Sequence, residues 1–133
     1  MESQSGGKWI VNPDDADLAL KLGADGLIVS NHGGRQLDSG ESTIKSLMAL
    51  AKSCGDAVTL MMVERIRSGA DIASRLASGA KFTFLGRAPM FGACVMGHKG
   101  GNQALEILKR QIQQVMEQVG CETDEDLPSH LIN

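Results

Sequence analysis

Apolar positions follow two rhythms along this chain. Gly26-Leu-Ile-Val-Ser30, Val58 to Val63 and Lys81 to Leu85 are short, largely apolar runs of strand length, the pattern of strands buried on both faces. Elsewhere the apolar residues recur three and four apart. Ile44, Leu47, Met48 and Ala51 form one such stripe. Leu105, Leu108, Ile112, Val115 and Val119 form another, with Lys109, Arg110 and Gln113 turned outward. Asn12-Pro13-Asp14-Asp15 is a helix start, with Asn as N-cap, Pro at the first helical position and acids in the first turn. That helix runs to Leu22 and stops at Gly23. Ser42-Thr43 caps the next, which Gly55 ends, and a third spans about Ala70 to Ser78 before Gly79. After the break at Gly86-Arg87-Ala88-Pro89 a short helical piece covers Met90 to Met96.

The order helix, strand, helix, strand, helix, strand, helix is the βα alternation of a parallel sheet. Two α/β architectures fit: a doubly wound open sheet, or part of a (β/α)8 barrel. No G-x-G-x-x-G follows any strand, which lowers the first. A whole barrel needs about 250 residues, and the chain has 133. The strand edges of such an incomplete sheet call for a second copy or a missing half to cover them.

Composition narrows the partners. Net charge is -3 with both signs interspersed, so no basic face suggests nucleic acid. Cys54, Cys94 and Cys121 are far apart and not paired with histidines at ligand spacing, which points to reduced thiols rather than zinc or a disulfide framework. No run reaches the roughly 18 to 20 apolar residues of a membrane span, and MESQSGGKWIV lacks a signal-peptide core. A soluble, cytoplasmic protein is expected.

The polar clusters lie just after strands, where both architectures place ligands. His32 and Arg35 stand three apart in SNHGGRQLD. An imidazole with an unperturbed pKa of about 6.5 can take a proton near neutrality. A guanidinium fork suits a carboxylate. Together they suit proton abstraction beside a carboxylate-bearing carbon, with Gly33 and Gly34 allowing a ligand to approach the main chain. Gly86-Arg87 follows the last strand, where barrels commonly hold phosphate, and Arg67 is a second candidate for that anion. Surface roles for His32, Arg35, Arg67 and Arg87 fit the spacing as well.

SNHGGRQLD, IRSGADIASRLASGAKFTFLGRAPMFG and the long amphipathic helix after them resemble the C-terminal half of the FMN-dependent α-hydroxy-acid dehydrogenases and oxidases, which act on lactate, mandelate and glycolate. The likeness runs from about Val11 to Gly120. It implies the C-terminal half of a (β/α)8 barrel, about three to four βα units, over residues 11–120. Residues 1–10 would be the remnant of a truncated strand, and 121–133 a tail. By the same resemblance His32 is the catalytic base, Arg35 binds the substrate carboxylate, Ser30 contacts the flavin, and Arg67, Gly86 and Arg87 hold the FMN phosphate. The substrate would be a small 2-hydroxy acid. The chain departs from the family pattern at Val63-Glu64-Arg65, which stands where the family has D-x-G. Nothing in it represents the first four βα units, so weak or absent FMN binding is expected of this chain alone. A non-catalytic half-barrel or interaction module without flavin is the alternative.

Overall fold

The computed structural model describes residues 6–32 and 41–130. Four strands, β1 (Gly6–Ile10), β2 (Gly26–Val29), β3 (Thr59–Val63) and β4 (Phe82–Phe84), form one sheet in the order β1-β2-β3-β4, every neighbouring pair parallel. Their order never reverses, so these strands contain no topological switch point and are not a doubly wound sheet. Helices α1 (Pro13–Lys21), α2 (Thr43–Cys54), α3 (Gly69–Ala77) and α4 (Arg87–Val119) follow the four strands in turn, and a 3-10 turn, Asp124–His130, ends the described chain.

The chain divides into two compact units. The first comprises residues 1–64 and 78–84, which hold the sheet with α1 and α2; the second comprises residues 65–77 and 85–133, which hold α3, α4 and the 3-10 turn. In the first unit, alternate residues of the strands form the core. Leu27 and Val29 of β2 and Leu60 and Met62 of β3 are buried against Ala16 of α1 and Leu47, Leu50 and Cys54 of α2. Period-two alternation sends Ile28, Met61 and Val63 to the opposite face. The α1 start is as the sequence indicates: Asn12 Oδ1 accepts the Asp14 N–H at 3.1 Å, with Pro13 beside it. At the other end Gly23, at φ 84°, and Ala24 donate to the carbonyls of Leu20 and Ala19, a Schellman closure.

In the second unit α3 and α4 meet at a glycine. A Cβ on Gly69 would collide with the backbone of Gln111 and Ile112, while the Gly69 N–H donates to Gln111 Oε1 at 3.0 Å. Ala73, Cys121 and Leu127 are the buried centre, packed by Leu76, Ile112, Val115 and Met116.

The segment read as the remnant of a truncated strand holds a five-residue strand, β1, whose pairing with β2 is irregular between Lys8 and Ile10. The two separate C-terminal helical pieces are present as expected: α4 consists of two helical arms, interrupted at Met96 (φ -131°) and Gly97 (φ 62°), where the short piece is expected to end. There the arms fold back, so that a Cβ on Gly92 or Gly100 would strike the other's carbonyl. Within the tail, the described residues 121–130 place Cys121 and Leu127 in the second core. The stripe on α4 is narrower than its period suggests: Leu108 is buried, whereas Leu105 and Val119 are exposed.

Candidate functional site

The strongest sequence signal begins where β2 ends. Ser30 follows Val29 directly and is buried. Its Oγ accepts the His32 N–H at 3.2 Å, a local side-chain turn that reverses the chain at the strand's C-terminal end. His32 is half-buried and sits at φ 57°, the one left-handed residue other than glycine among those described. That conformation costs a side-chain-bearing residue roughly 1–2 kcal/mol, and histidine tolerates it better than most. Asn31 donates through Nδ2 to the Glu41 carbonyl at 3.3 Å, tying together two points ten residues apart. Arg35, with Gly33 and Gly34, lies outside the described residues.

The other candidates belong to the second unit. Arg67 is exposed, and its N–H donates to Asp71 Oδ2 at 2.9 Å. Ser68 and Asp71 form a reciprocal capping box at the start of α3: the Asp71 N–H donates to Ser68 Oγ at 3.1 Å, and the Ser68 N–H to Asp71 Oδ2 at 3.1 Å. Arg75 reaches Asp71 Oδ1 at 3.4 Å. Desolvation works to raise the Asp71 carboxyl, but the donors from Arg67 and Ser68 and the charge of Arg75 outweigh it and hold the group below its ordinary 3.8. Sequence reading missed this cap, although S-x-x-D before an apolar stripe is its signature.

Gly86 is the N-cap of α4 and Arg87 its first residue. Gly86 brings no capping side chain, and a Cβ placed there would meet nothing within 4 Å. The Met90 N–H bonds to the Gly86 carbonyl, and Pro89 has no N–H. Arg87 and Ala88 therefore carry the first-turn donors that the helix cannot satisfy internally. Open main chain, two N–H donors, the positive end of a helix and a guanidinium make a donor set that fits a phosphate, so these residues suit the phosphate end of FMN. Val63 and Glu64 are half-buried, and Arg65 is exposed. Among the described residues no cluster of three or more His, Cys, Asp or Glu could hold a metal ion, and no helix is long and apolar enough to cross a membrane.

Residues 7–133 match the family described as FMN-dependent dehydrogenase. Among similar proteins, an L-lactate dehydrogenase of Caulobacter sp. (strain K31) is 39% identical over 116 residues, 87% of this chain and 30% of the relative. The 2-hydroxyacid oxidase 1 of Mus musculus is 40% identical over 115 residues, 86% of this chain and 31% of its own. A solved structure of mandelate oxidase with (S)-2-phenylpropionate superposes with a TM-score of 0.90 at 32% identity, covering 96% of this chain and 38% of that one. A lactate oxidase structure from Pediococcus acidilactici gives 0.89 at 36% identity, covering 93% and 34%. The chain thus spans about a third of the length of these relatives.

Proposed function

We propose, on the premise that this chain belongs to the family of FMN-dependent dehydrogenases, that it supplies the C-terminal half of a (β/α)8 barrel oxidising small L-2-hydroxy acids to 2-oxo acids in the cytoplasm. The observation that carries this reading is His32, held in a left-handed turn by Ser30 at the C-terminal end of a parallel strand. Barrel enzymes draw their catalytic side chains from such strand ends, and strain of this kind concentrates at functional sites.

FMN, when bound, supplies the two-electron acceptor. His32 takes a proton from the substrate's α-carbon or hydroxyl, as a general base. Arg35 pairs with the substrate carboxylate and fixes the reacting carbon beside that base. Ser30 orients the turn and directs its hydroxyl to the flavin. Arg67 and Arg87, with the main chain at Gly86, hold the phosphate.

The remainder of the barrel is required for turnover. The purified chain alone is expected to be colourless or to bind FMN weakly; a stoichiometric flavin spectrum that bleaches with lactate, glycolate or mandelate would overturn that. The roles are tested in a hybrid joining the upstream part of the Caulobacter relative to this chain. Replacing His32→Ala there is expected to slow anaerobic flavin reduction by about 10²–10⁴-fold. An unchanged rate would remove His32 from catalysis. A second reading, a half-barrel interaction module without flavin, draws on Glu64, a half-buried acid immediately beyond β3 that would repel a nearby phosphate. Changing Val63-Glu64-Arg65 to Asp-Gly-Gly in the hybrid distinguishes the two: a gain in flavin affinity identifies the segment as the defect, and no gain clears it.

A further inference from the structure

The inner face of α2 changes character along its length. Its buried residues, Thr43, Ser46, Leu47, Leu50 and Cys54, recur three and four apart and so share one face of the helix. From Leu47 onward that face is apolar and belongs to the core with β2 and β3. In the first turn it carries two hydroxyls instead. Thr43 is 0% and Ser46 2% exposed, and neither Thr43 Oγ1 nor Ser46 Oγ has a hydrogen-bond partner among the described residues. Both are enclosed by residues of this chain. The usual partner of a helical hydroxyl, the carbonyl one turn back, is already taken for Ser46. The Ser42 carbonyl accepts the N–H groups of Lys45 and Ser46, at 3.0 and 3.3 Å. Thr43, as the first helical residue, has no carbonyl of the helix behind it. A buried hydroxyl left unpaired is costly, and nearly all such groups in native proteins bond to protein or to ordered water.

We propose that one buried water bridges Thr43 Oγ1 and Ser46 Oγ beneath the first turn of α2. The spacing suits it. Side chains three apart on a helix have Cβ atoms about 5–6 Å apart, close to twice the roughly 2.8 Å of an O–H···O bond. The chemistry suits it too. A buried water needs about two to four polar partners, and each hydroxyl can both donate and accept. The first-turn N–H groups of Thr43 and Ile44 meet no carbonyl inside the helix, and the Ser42 side chain does not cap them, so further donors lie beside the pair. A larger ligand is excluded, because both residues are closed to solvent. The water finishes from the inside a helix start that the other two caps finish with side chains, Asn12 at α1 and Ser68 with Asp71 at α3. Glu41, whose carbonyl accepts from Asn31, lies two residues before Thr43. The water therefore steadies the point where the chain returns from the His32 turn to a helix.

The test is a double-mutant cycle in the intact chain, Thr43→Val with Ser46→Ala, read as urea midpoints. A shared water makes the two positions interdependent. Either single substitution should lower the midpoint, because it strands the hydroxyl that remains. The pair together should recover most of that loss, because no hydroxyl is left to satisfy. Single variants that each raise the midpoint would mean dry hydroxyls and overturn the proposal. Losses that simply add would give each hydroxyl a partner of its own and overturn it as well. Oxygen-17 relaxation dispersion, which hydroxyl protons do not disturb, counts the long-lived internal waters directly. The parent should hold one more than the double variant, and equal counts would refute the site. Should a variant fail to fold, crystals of the parent decide: a water within hydrogen-bond reach of both oxygens upholds the site, and dry density there removes it. No flavin enters these measurements, so their outcome is independent of the proposed function.

Discussion

The end of β2 and the start of α3 solve the same problem, reversing or starting a chain with polar side chains, in opposite ways. At α3 every local device favours stability. Ser68 and Asp71 exchange hydrogen bonds, Arg67 adds a second main-chain N–H to the carboxylate, Arg75 sits one turn below, and Gly69 lets the helix touch α4. At β2 the Ser30 hydroxyl accepts the N–H of a histidine in a conformation that glycine would adopt more easily. The first junction is built to stay; the second keeps a particular side chain in place against local preference. Backbone strain like that at His32 collects at functional sites, and relaxed caps like that of α3 belong to scaffolds.

The contrast can be broken by substitution. Gly69→Ala should have the largest effect, about 1–3 kcal/mol of lost stability, since its Cβ meets main chain that cannot rotate away; a urea midpoint equal to the parent's would show that the contact relaxes freely. Asp71→Ala should cost about 1 kcal/mol through the lost cap. That loss should also depend on pH. The carboxyl titrates below 3.8 in the folded chain, so its contribution is complete above that value and disappears as pH falls through the depressed one. The gap between the parent and Asp71→Ala, measured by denaturant melts, should therefore narrow below about pH 4. His32→Gly should act in the reverse sense and be smallest, a net gain of up to about 1 kcal/mol. Relief of roughly 1–2 kcal/mol of left-handed strain outweighs the roughly 0.4–1 kcal/mol that glycine's greater unfolded-state freedom costs. A destabilised His32→Gly chain would mean that imidazole packing outweighs the left-handed backbone.

Local signals were legible in the sequence and non-local ones were not. Asn12-Pro13 announced α1, and the apolar runs located β2, β3 and β4 within a residue or two, because caps and period are properties of neighbouring residues. Of the motif's candidates, Ser30 and His32 sit at the strand end where the reading put them, and Arg35 lies outside the described residues. The β1 strand was legible only through the family resemblance, because Gly6-Gly7 has poor strand propensity and the pairing with β2 is what extends it. The break after Met96 was legible as the end of the short helical piece, but the fold-back of the two arms rests on a contact between Gly92 and Gly100 that no short window contains. The burial of Cys121 and Leu127 likewise depended on α3 and α4 being in place. The exposed Phe82 and Phe84 are the clearest case: their run reads as a buried strand, and the structure leaves them open.

The fold-back of α4 makes the length of that segment as constrained as its composition. Each residue of a helix advances the phase by about 100°. Inserting or deleting one residue between Gly92 and Gly100 would therefore turn a different position toward the opposite arm. The residues beside them, Phe91 and Ala93 on one side and Lys99 on the other, all carry a Cβ. Only Gly101 would spare the contact, and only from one side. Point changes at many positions of α4 can be absorbed by repacking, but a change of count in this hinge cannot, so a chain of this family that keeps the bend should keep its spacing even where its sequence drifts.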